Sequence, residues 1–153
     1  MHAVIFRAGQ RVFLALAPFF FFTCVLAAEH PVISLTAGMH VIRAEVVNTM
    51  ASRSQGLMFR KSLGPNQGML FVFDINERHC MWMKNTLIPL SVAFIDEQGA
   101  ILNIEEMKPQ TEDTHCARSA ARYALEMTAG WFGKRGLQPG LRLGGMEKAP
   151  GPK

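Results

Sequence analysis

The chain has 153 residues, 49% of them hydrophobic, and a formal net charge of +4 at neutral pH. That length fits one domain, and the hydrophobic share excludes an intrinsically disordered chain. The basic residues are scattered, with no run that would track phosphates, so no nucleic-acid partner is expected.

Residues 1–28, MHAVIFRAGQRVFLALAPFFFFTCVLAA, open with Arg7 and Arg11, run through an apolar stretch from Val12 to Leu26, and close on Ala27 and Ala28. That is the layout of a secretory signal peptide, with cleavage expected after Ala27 or Ala28. An uncleaved anchor is the alternative, for which the run is short and wrongly flanked. Cys24 belongs to this leader, because Phe22 and Thr23 suit lipoprotein processing poorly. From Glu29 onward, 14 Lys and Arg face 12 Asp and Glu, a net charge of +2. The expected location is periplasmic or secreted, with no stable membrane span once the leader is removed. Cys80 and Cys116 remain, and in an exported domain a disulfide between them is expected over two free thiols.

Short apolar runs separated by turn residues then predict a mainly β chain over residues 29–143. VISLTA reads as a strand, and Val41 to Val47 alternates as a half-buried strand does. Thr49 is the expected N-cap of a brief helix whose core anchors are Met50, Leu57 and Met58. After the turn GPNQG, MLFVF is a strand buried on both faces. HCMWMKNT reads as another strand, and LSVAFI and AILNIEEM around DEQG as a hairpin. A polar loop from Lys108 to Ala120 leads to RYALEM, strand or short helix. GWFGKRGLQPG should bury its aromatics between turns, and LRLG should close the fold as a last strand. The Gly- and Pro-rich residues 144–153 are expected to be a disordered tail. The fold class is therefore a compact antiparallel sandwich or barrel-like domain with one or two short helices.

Three chemistries compete for the function. Strand alternation would put His79, Met81 and Met83 on one face, a soft set competent for Cu(I). Methionine at such positions usually fills a core, however, and the chain has 10 of them. A zinc site from both His-Cys dipeptides is disfavoured because adjacent strand residues point apart. The hydrolase and phosphate-binding signatures are missing, so an enzyme would have to be one of unknown reaction. The polar residues set in apolar surroundings are Arg60, Lys84, Asn85, Thr86 and Glu126. Gathered in a cleft, they would take a small polar or anionic ligand, a sugar or an envelope-derived fragment, with no cofactor or metal. The competing structural reading is a buried salt bridge of Glu126 with Arg60 or Lys84.

GLMFRKSL, GMLFVF, CMWMKNTLIPL, AFIDEQGAI and YALEMTAGWFGKRGLQPG, in this order, resemble the bacterial and archaeal family called Domain of Unknown Function 192. The resemblance spans about Ile42 to Leu143 and implies a compact, mostly β fold with no established activity. Mapped onto this chain, the family motif implies Arg60, Trp82, Lys84, Asn85, Thr86 and Glu126. Two positions depart from it: Met81 stands where relatives carry an aromatic residue, and Ser91 where they carry Asp.

Overall fold

The computed structural model describes residues 30–153, so the expected leader lies outside the described residues. β1 (Val32–Ala37) and β2 (His40–Val47) form an antiparallel hairpin in which Leu35 faces Ile42 and Ala37 faces His40. Its two-residue loop starts at Gly38, whose φ of 57° is a conformation that glycine adopts without strain. Helix α1 (Met50–Gln55) follows, capped at Thr49 as the sequence predicts. The Thr49 hydroxyl accepts from the Ser52 N–H at 3.1 Å, and the Ser52 hydroxyl accepts from the Thr49 N–H at 3.1 Å. Met50 does not anchor the core as expected; it is 75% exposed, because six residues make too short a helix to bury a full face.

β3 (Gln67–Glu77) then lies parallel to β2, with Arg43 opposite Gln67 and Val47 opposite Phe71. This is one parallel pairing in a sheet whose other described pairings are antiparallel: residues 48–66, α1 included, form a crossover that returns the chain to the same end of the sheet. β4 (Cys80–Met81) and β7 (His115–Cys116) make a separate two-stranded ladder. β5 (Leu90–Ile95) and β6 (Ile101–Met107) form the expected hairpin. The Asp96 carboxylate fixes its turn by accepting from the Gln98 and Ala100 N–H groups at 2.9 and 2.8 Å. RYALEM is strand, part of β8 (Ala121–Thr128), and β9 (Leu143–Gly144) is the last short strand.

The main sheet runs in the order β6-β5-β8-β3-β2-β1-β9. It curls until its two ends meet: the Ile101 N–H donates to Leu141 O at 2.9 Å, and the Leu143 N–H to Gly99 O at 2.9 Å. The domain is thus barrel-like. Its concave side gathers Leu35, Ile42, Leu70, Ile95, Leu125 and Leu143 from strands all round the curl, together with the buried Trp131 and Phe132. Its convex side carries a second apolar cluster, including Met69, Phe71, Val92, Phe94 and Ala124, covered by the connecting segments.

Residues 144–153 are not the disordered tail that their composition suggests. Gly144 pairs with Thr36, a 3-10 turn spans Met146–Lys148, and the Lys153 N–H donates to Asn48 O at 2.8 Å. The Asn48 side chain returns a bond to Gly151 O at 2.6 Å. Glycine serves close approach here: a Cβ on Gly145 would stand 2.6 Å from Ser34 O.

Candidate functional site

Glu126 sits on β8, the strand between β3 and β5, with Met69 and Val92 as its lateral neighbours. Alternation along β8 sends Leu125 and Met127 into the concave core and Glu126 to the convex face. There the residue is 3% exposed. Its carboxyl has no hydrogen-bond partner among the described residues, yet no fully buried polar atom is left unsatisfied, so its oxygens reach open space. Burial among apolar side chains pushes its pKa up to about 8, so the group is protonated at neutral pH. It can therefore both donate and accept a hydrogen bond.

The open space is a cleft of about 200 Å³. Phe71, Phe73 and Glu126 line it from the sheet, Arg53 to Met58 from the helical crossover, and Cys80 to Trp82 with Thr86 from the segment after β3. Gly56 allows the crossover to close on the sheet, since a Cβ there would stand 3.1 Å from the Phe71 ring. The opposite wall is pinned by the Cys80–Cys116 disulfide, formed as the sequence predicts between directly paired residues of β4 and β7. Asn103 holds that ladder down, donating to Cys116 O at 3.1 Å and accepting from the Arg118 N–H at 3.0 Å.

Of the five polar residues singled out in the sequence, Glu126 and Thr86 line the cleft. Arg60 does not; its guanidinium makes a two-pronged pair with Glu45 on β2, one prong at 2.8 Å, and that hydrogen bond raises its pKa. Lys84 is exposed, 3.8 Å from the Glu112 carboxylate and 5.3 Å from the Trp82 ring centre. Neither base pairs with Glu126, so the buried salt bridge of the competing reading does not form. Asn85 acts between the walls. It adopts φ 56°, which asparagine tolerates, and its carbonyl accepts from the Phe59 N–H at 2.9 Å. Phe59 has φ 62° and is 65% exposed, while Trp82 is also exposed.

Arg53 is the cation that the sequence reading missed. It donates to both oxygens of Asp74 at 3.0 and 2.8 Å and to Val72 O at 2.9 Å, which turns its side chain along the cleft edge. Its one sequence signal is a position in the last turn of a helix that must pack on the sheet. The copper set is dispersed. The extended backbone ends at Met81, and residues 84 and 85 form a turn, which breaks the alternation. Met83 is fully buried, Met81 lines the cleft, and the His79 ring stacks on Phe73 at 3.7 Å with Nε2 2.8 Å from Ile75 O.

The sequence profile of the family described as "Uncharacterized ACR" (DUF192) matches residues 33–145. The chain belongs to the DUF192 family. A solved relative from Sinorhizobium meliloti 1021, described as a proposed transcription regulator, is 34% identical with a TM-score of 0.70, covering 76% of this chain and 95% of its own. Another, a protein of unknown function from Novosphingobium aromaticivorans DSM 12444, is 32% identical with a TM-score of 0.71, covering 78% and 93%. No curated protein matches the chain.

The two departures of this DUF192 chain from the motif fall in different places. Met81 forms part of the cleft wall. Ser91 lies across the sheet from it, beside Met127, and donates to Glu106 at 2.7 Å while accepting from the Gly130 N–H at 2.7 Å. The Glu106 carboxylate also accepts from Gly130, at 3.1 Å, so Ser91 together with Glu106 supplies an acid at that turn.

Proposed function

We propose that this DUF192 protein is an exported binding module for a small polar ligand, seated in the Glu126 cleft. One observation carries the reading: a deeply buried carboxyl without a partner among the described residues, facing a cavity that other side chains hold open. Burying a polar group without a partner costs free energy, and a ligand that supplies the missing hydrogen bond recovers it. Of the polar and anionic ligands that the sequence suggests, the uncharged ones fit better. Arg60 and Lys84 stand outside the cleft, and Arg53 is already neutralised by Asp74. A hydroxyl- or amide-bearing ring of the carbohydrate kind would meet Glu126 and Thr86 with its polar edge and Leu57, Phe71 and Met81 with its apolar face.

An enzymatic reading has one observation in its favour, since a carboxyl protonated at neutral pH is fit for general acid work. Among the described residues, the cleft lining supplies no second carboxylate to act with it. The description of the Sinorhizobium relative suggests DNA, for which the net charge of +2 after residue 28 offers little attraction.

The test is titration of the oxidised protein with N-acetylglucosamine, followed by NMR, at pH 6.5 and 9.5. Binding should weaken by roughly tenfold or more across that interval as Glu126 loses its proton, and Glu126→Gln should bind with no such dependence. Tighter binding of an amine at the higher pH would instead make the cleft a cation site.

A further inference from the structure

A cleft of about 200 Å³ is smaller than typical ligand pockets, which begin near about 300 Å³. It holds one ring and little more. A second depression of about 280 Å³ continues from it, and Arg53 and Phe73 line both. Past that shared wall the surface is formed by Asp74, Ile75, Glu77 and His79. Aromatic faces recur along this path: Trp82 is exposed at one end, and the stacked Phe73 and His79 rings lie farther on. Beside them stand hydroxyl partners, namely the Glu126 carboxyl, the Arg53–Asp74 pair and the Glu77 carboxylate. Alternating apolar faces and hydroxyl partners match a chain of sugar rings, whose faces are C–H and whose rims are O–H.

From these features we infer that the ligand is a linear oligosaccharide, with one ring in the Glu126 cleft and the next over the His79 ring that covers Phe73, facing Asp74 and Glu77. This inference rests on the reading of the cleft as a site for an uncharged ring. An extended peptide is the rival occupant, because β3 runs on to Glu77 while its pairing with β2 ends at Phe71. Strand addition needs free backbone groups along that edge. Side chains already hold three carbonyls of this stretch of β3: Val72 O accepts from Arg53 at 2.9 Å, Asp74 O from Arg122 at 2.8 Å, and Ile75 O lies 2.8 Å from His79 Nε2. A peptide strand would have to displace these bonds and pair with a stretch whose register to β8 is itself irregular, while the groove surface stays open. An acetamido group suits the inner end, its carbonyl accepting from Glu126 and its methyl lying on Leu57 and Phe71.

The experiment is calorimetric titration of the oxidised protein with N-acetylglucosamine and its β1,4-linked oligomers up to the tetramer. Affinity should rise by about tenfold or more from the single ring to the longer oligomers, as linked subsites require. The double variant Ile75→Ser, Glu77→Gln changes two exposed residues of the outer depression, so it should fold normally. It should lose the gain with length and keep the single-ring affinity. Equal affinity at every length would overturn the extended groove and leave the one-ring cleft standing. No binding at any length, by protein shown folded by circular dichroism, would overturn both readings. Binding of extended peptides in place of sugars would overturn the oligosaccharide and favour strand addition.

Discussion

On the concave face of the sheet, Ser91 is fully buried, and its hydroxyl bonds to both Glu106 and Gly130. On the convex face, one strand over, Glu126 is almost as deeply buried and has no hydrogen-bond partner among the described residues. A satisfied buried polar group is architecture: it fixes where the chain turns and leaves nothing to offer a ligand. An unsatisfied one, with a cavity in front of it, is stability given up at a single point. The convex face can carry that group because its cover, the helical crossover and the short β4–β7 ladder, leaves a cleft above it.

Removing the pin from that cover should break the comparison most strongly. Cys80→Ser with Cys116→Ser opens a loop with a sequence separation of 36, worth about 4 kcal/mol in the chain-entropy model. Urea unfolding should show that loss, and ligand binding should fall further than the far-ultraviolet signal of the barrel.

Glu126 itself gives the next largest effect, and one with a distinctive pH signature. Its folded pKa of about 8 lies above the ordinary value of 4.5, so between these values the folded state holds a proton that the unfolded state has released. Stability from this group is therefore full below pH 4.5, falls as pH rises, and levels off above pH 8. Glu126→Gln removes the dependence. The variant should match the parent at pH 4 and exceed it by about 3 kcal/mol at pH 7, read from denaturant melts across the range.

Smaller effects sharpen the contrast from the other face. Ser91→Ala should cost about 1–2 kcal/mol, since the Gly130 N–H keeps its bond to Glu106, and it should leave ligand affinity unchanged. Lys84→Ala should change stability by less than about 0.5 kcal/mol, because its ion pair is long and exposed. A measurable loss of affinity in Lys84→Ala would return that residue to the site.

The difference between the faces also explains what the sequence could reveal. Strand alternation, the Thr49 cap, the DEQG turn and the cysteine pair are local or compositional signals, and each appears in the structure. The parallel β2–β3 pairing is not local, because it depends on which way a 19-residue crossover returns. Glycine was ambiguous in the tail, where the same residue serves flexible chains and close approach. At the site, Glu126 stood out as an acid inside an apolar strand. Arg60 and Arg53 are seven positions apart in one segment, and only the neighbouring strand, with Glu45 at hand for Arg60, decides which of them faces the cleft.

Phe59 carries a last consequence. A left-handed backbone strains an ordinary side chain by about 1–2 kcal/mol, and an exposed ring gains little from burial in return. Folding alone would put glycine at this position. The phenylalanine there, tied through its N–H to Asn85, is a cost to the folded state that Phe59→Gly would remove while keeping that backbone bond.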